Sequence, residues 1–243
     1  MTIVFEYPSF DMYSWIPQKY WDNLHIIPDD SDCFGFVPTK PLVVLDHGIF
    51  DITRPCIFPE KRKNYSLFYA DYYLSSTKQG HEGLIKNKKK SFYTGSPFSD
   101  FVIPLEKKER DLLVYLPDHG IPTDNGWRYG DEVMPTENLL KIAETEGCSK
   151  VMTSALVEDE RAGYYNPIYS DRRRDIEGHH AKCRYFLERA KVVVTQTSGT
   201  FHIVAKNLGI KIIGCEVKLD TLVDGKCRER ILEVMDGIIS GRY

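Results

Sequence analysis

The sequence predicts an α/β protein built on parallel sheets and divided into two halves, and three observations carry that expectation. Residues 110 to 243 alternate short apolar runs with longer stretches of helical period, an order that implies parallel strands joined by right-handed crossovers. Residues 1 to 105 have another texture, rich in Pro, Tyr and Phe, with apolar runs broken by turn residues. The length, 243 residues, exceeds one average domain of about 150 residues and falls short of two. The charged stretch at 104–110, Pro-Leu-Glu-Lys-Lys-Glu-Arg, is the natural boundary, so the expected domains are 1–105 and 106–243.

In the first half, residues 41–46 form a continuous apolar run closed by Asp46-His47-Gly48, the pattern of a buried parallel strand feeding a turn. A second strand is expected at 72–75. It is followed by Ser76 and Thr77, either of which can cap a helix. Beyond the basic run Lys86 to Lys90, Ser91-Phe-Tyr-Thr-Gly95 reads as a third strand closed by glycine.

The second half opens on a strand at 111–116 that Pro117 stops. Residues 135–146 form a helix, with Thr136 as its cap, Leu139, Leu140, Ile142 and Ala143 at helical spacing, and Gly147 as its stop. A strand at 150–156 precedes a helix over 175–190, whose apolar stripe is Ile176, Cys183, Phe186, Leu187 and Ala190. The strand 191–195, the turn 196–200, a helix from 201 to 208 and a strand at 211–216 complete the order.

Composition narrows the function classes. Hydrophobic residues make up 42% and charged residues 28%, which excludes disorder and collagen. No apolar stretch approaches the ~20 residues of a membrane helix, and the acidic start does not read as a signal peptide, so a cytoplasmic protein is expected. The net charge of −3 does not point to nucleic acid. The six cysteines include no C-x-x-C pair, and His179 and His180 are adjacent rather than one helical turn apart. No metal and no cofactor is expected. Phosphate-loop, dinucleotide-fingerprint and nucleophile-elbow motifs are absent from the chain.

Ligands of parallel α/β sheets bind outside the carboxyl ends of the strands, so polar residues there are the candidates. Thr197, Ser198, Gly199 and Thr200 stand between a strand and a helix start, where backbone N–H groups and the helix dipole favour an anion such as phosphate. The alternative is that Ser198 and Thr200 only cap the helix. His47, followed by Gly48, has the chemistry of a general base on a hydroxyl, and equally of a satisfied turn histidine. His119 in Asp118-His119-Gly120 follows the first strand of the second half. Arg172 and Arg173 precede a helix, where a cation is unfavourable unless an anion sits there too.

In order, these motifs resemble the GT-B type of glycosyltransferase, particularly the CDP-glycerol glycerophosphotransferases and more distantly the UDP-GlcNAc 2-epimerases. The likeness spans about residues 42 to 216 and rests on four stretches. Leu42 to Gly48 resembles the family's strand and His-Gly turn. Asp71 to Ser76 with Thr94-Gly-Ser-Pro-Phe-Ser-Asp100 resembles the passage into its second domain. Leu112 to Pro117 resembles the first strand of that domain, and Phe186 to Thr200 with Ala205 to Ile213 its donor-site block.

The resemblance implies a GT-B-like fold of two Rossmann-like halves. Only 46 residues precede His47, so the N-terminal, acceptor-side half is expected to be reduced. It further implies a transferase that moves a sugar or sugar-alcohol phosphate from a nucleotide-sugar or CDP-alcohol donor to a hydroxyl-bearing acceptor. Ser198, Gly199 and Thr200 would hold the donor phosphates, His119 would lie near the donor, and His47 would deprotonate the acceptor. Arg172 or Arg173 would assist, and Gly48 and Gly95 would form turns near the site.

Two alternatives keep the fold. In one the acceptor is a modified base in DNA, with the lysine run 86–90 on the phosphate backbone and Trp15, Tyr20 and Trp21 stacking on bases. In the other the chain is a non-catalytic nucleotide-sugar-binding module.

Overall fold

A computed structural model describes residues 13–28, 40–46, 70–104, 109–116, 121–123, 126–128, 134–153, 176–195, 199–214 and 216–243. They form two compact units. One holds the described residues up to Phe101 together with Leu219–Tyr243, the other those within Val102–Lys218.

The first unit is a four-stranded parallel sheet of β1 (His25–Pro28), β2 (Leu42–Leu45), β3 (Tyr72–Ser75) and β4 (Ser91–Tyr93), in the spatial order β1-β2-β3-β4. Both faces are covered, which is why all four residues of β2 are apolar and buried. Leu42 and Val44 pack with Tyr73 and with Leu84 of α2 (Lys78–Lys86). On the other face Val43, Leu45 and Leu74 pack with Tyr20 of α1 (Gln18–Asn23) and with Ile231, Val234, Met235 and Ile238 of the last helix, Cys227–Ile239. Thr77 caps α2 as its position suggests, accepting the Gly80 N–H at 3.2 Å. A further helix, α3 (Pro97–Val102), follows β4.

The second unit is a parallel sheet of β5 (Leu112–Leu116), β8 (Lys150–Thr153), β9 (Ala190–Thr195) and β10 (Lys211–Gly214), with a small antiparallel ribbon of β6 (Ile121–Thr123) and β7 (Gly126–Arg128). The helices between the sheet strands are α4 (Thr136–Glu146), α5 (Ile176–Arg189) and α6 (Thr200–Asn207); the C-terminal helix is α7. Leu139 and Ala143 of α4 pack on Leu113, Tyr115, Val151, Val192 and Val194. α5 buries Cys183, Phe186 and Leu187, the stripe read from its spacing.

Most boundaries agree with the sequence to within a residue or two, with two corrections. Thr136 is the first residue of α4 and not its cap, a position taken by Pro135, whose extended conformation suits the turn into a helix. Gly147 ends that helix in the left-handed region at φ 63°, as a glycine allows. The second concerns domains: residues 219–243, expected with the second half, are part of the first unit, because α7 supplies the apolar face that closes its core.

Candidate functional site

The sheet of the second unit runs β10-β9-β5-β8. Chain order therefore reverses between β5 and β9, and the crevice outside their carboxyl ends is the topological switch point, where such sheets bind ligands. The two ends lie side by side: Leu116 pairs with Thr195, whose side chain is fully buried. At the neighbouring end of β10, Gly214 has φ +105° and leaves no room for a Cβ beside the Thr195 carbonyl. The segment with His119 continues from Leu116 and the segment with Thr197 and Ser198 from Thr195. These three residues lie outside the described residues, as do Arg172, Arg173, His47 and Gly48.

Gly199 and Thr200 are described. Gly199 is the N-cap of α6 in an extended conformation (φ −141°, ψ 175°), and Thr200 is the first helical residue, so neither Ser198 nor Thr200 holds the cap position. The Gly199 N–H donates to Nδ1 of His202 at 3.0 Å, and His202 is only 2% exposed. Sequence reasoning missed His202. The signal was its spacing, third residue into the helix, where Glu or Gln of a capping box normally reaches back to the cap amide.

In the first unit the strand ends carry buried Asp46, Ser75, Ser76, Thr77, Thr94 and Ser96. Asp46, which directly precedes His47, is 3% exposed and accepts the Ser76 N–H on Oδ2 at 3.2 Å, tying the end of β2 to that of β3. Beyond β3 and β4 the returning chain bonds to the segments that follow the strands. Thr221 donates to the Ser76 carbonyl at 2.6 Å and accepts the Ser96 N–H at 3.2 Å. Gln79 and Asp220 exchange two hydrogen bonds, at 2.8 and 2.9 Å, and the Lys78 N–H at the start of α2 donates to the Asp220 carbonyl at 2.9 Å. The amino end of α2 therefore meets this protein's own backbone. Gly95, expected as a turn near the site, has φ +82°, and a Cβ there would stand 2.7 Å from the Cys227 sulfur. Its need for glycine comes from α7 packing against it.

The lysine run is a surface feature: Lys86, Lys88 and Lys90 are exposed, with the Lys90 ammonium 5.0 Å from the centre of the Tyr72 ring. The aromatics expected to stack on bases are placed otherwise. Tyr20 is 2% exposed within the core, Trp15 and Trp21 pack against that core, and the Trp21 indole N–H donates to the Ile16 carbonyl at 3.0 Å. Among the described residues no group of three or more His, Cys, Asp or Glu side chains is placed to hold a metal ion. The chain does contain one Asp-x-Asp spacing, Asp30-Ser31-Asp32, outside the described residues. No described helix is long and apolar enough to cross a membrane.

Fold and strand ends together define an α/β protein with two Rossmann-like parallel sheets and a topological switch point in the second. No family model matches the sequence, and no curated protein does. Among solved structures, the wall teichoic acid polymerase TagF is similar at 11% identity and a TM-score of 0.43, over 74% of this chain and 52% of that one. The chain thus spans about half the length of that polymerase.

Proposed function

We propose that the protein is a transferase that moves a sugar or sugar-alcohol phosphate from a nucleotide-linked donor to a hydroxyl acceptor. The observation that carries this reading is the pairing of Leu116 with Thr195 at the switch point. The two strands whose ends meet there lead directly into the two segments singled out for phosphate, one with His119 and one with Thr197, Ser198, Gly199 and Thr200. The start of α6 offers backbone N–H groups and the positive end of its dipole to a diphosphate. In this reading Arg172 or Arg173 adds a cation, and fixed donors rather than a metal ion meet the charge that develops on the leaving phosphate. His47 takes the proton of the acceptor hydroxyl.

The test is calorimetric titration of the full chain with UDP- and CDP-linked donors, repeated with Ser198→Ala and Thr200→Val and followed by turnover assays. Binding that falls about tenfold or more in these variants, with turnover lost in His47→Ala and unaffected by a chelator, is the expected result. Binding indifferent to Ser198 and Thr200 would refute the donor site. Turnover abolished by chelation and restored by magnesium would refute the metal-free mechanism and direct attention to Asp30 and Asp32. Binding without turnover by the wild type would make the chain a binding module.

A further inference from the structure

We draw no further inference here: the strongest candidate, the side-chain cluster in which the Ser91 hydroxyl at the start of β4 lies 3.0 Å from both Nδ1 of His81 in α2 and the Ser75 hydroxyl at the end of β3, carries nothing, because Ser75 and Ser91 are buried and nothing in the structure shows a ligand reaching them.

Discussion

The Asp100 carboxylate caps a helix 127 residues further along the chain, accepting the backbone N–H of Cys227 at 3.1 Å and of Arg228 at 2.7 Å. Its side chain is 2% exposed, and the Arg228 guanidinium lies 3.7 Å away. A buried carboxylate is tolerated here because it answers two helix amides, a charge and the positive end of the α7 dipole. Replacing it with alanine leaves those amides without a partner. Asp100→Ala should lower the unfolding free energy by about 1–3 kcal/mol, read from a urea titration; an unchanged midpoint would show that the cap carries no weight.

Gly95 predicts a sharper effect than its turn position suggests. Alanine there must adopt φ +82° and place its Cβ 2.7 Å from the Cys227 sulfur and 3.0 Å from Leu222 Cβ. The backbone strain alone is of order 1–3 kcal/mol, and the overlap adds to it. Gly95→Ala should therefore shift thermal unfolding downward by several degrees, whereas Gly209→Ala, also at positive φ but with nothing within 4 Å, should shift it less.

Burial pushes the Cys227 thiol up to about 12, although Ser99 and Arg230 lie within hydrogen-bond distance of its sulfur. The folded pKa is above the ordinary 9.0, so the neutral thiol's contribution is complete below pH 9 and is lost as pH rises toward about 12. At pH 8 Cys227 should resist iodoacetamide in the native protein while partly exposed Cys148 reacts faster. Peptide mapping by mass spectrometry reads both sites, and rapid native labelling of Cys227 would contradict this account.

Asp111 anchors the start of β5. The Ser149 hydroxyl donates to it at 2.7 Å, and the Arg189 Nη2 lies 3.1 and 3.2 Å from its two oxygens. The Ser149 hydrogen bond first, and the Arg189 hydrogen bond and charge after it, hold its carboxyl below the ordinary 3.8. The resulting stability is present above pH 3.8 and is lost as pH falls through the lowered value. Asp111→Asn should flatten the acid limb of the stability profile measured between pH 5 and about 2; an unaltered limb would rule the anchor out.

How much of this was legible can be argued from single residues. β9 and α5 were readable because Val192 to Val194 form an uninterrupted buried run and Cys183, Phe186 and Leu187 recur at helical spacing. β1 was not, because Pro28 looks like a turn residue. It is tolerated where it stands because, among the described residues, β1 is an edge strand paired with β2 alone. Aromatic composition misled for Tyr20, since nothing local tells a stacking platform from a core side chain. The switch point was half legible: the strands were located, but their order follows from pairing between distant segments. His202 stayed hidden because its partner is a backbone amide.

The first unit is interrupted in the chain by the whole of the second and recovers α7 only afterward. Synthesis proceeds from the N-terminus, so β1 to β4 leave the ribosome with one face of their sheet covered only in part, by Tyr13, Ile16, Tyr20 and Leu24. They wait for more than a hundred further residues before Ile231, Val234, Met235 and Ile238 arrive to cover Val43, Leu45 and Leu74. During that interval the second unit has everything it needs to finish folding. The nascent protein thus passes through a state with one completed sheet and one half-covered sheet, and that state is the one most exposed to misassociation.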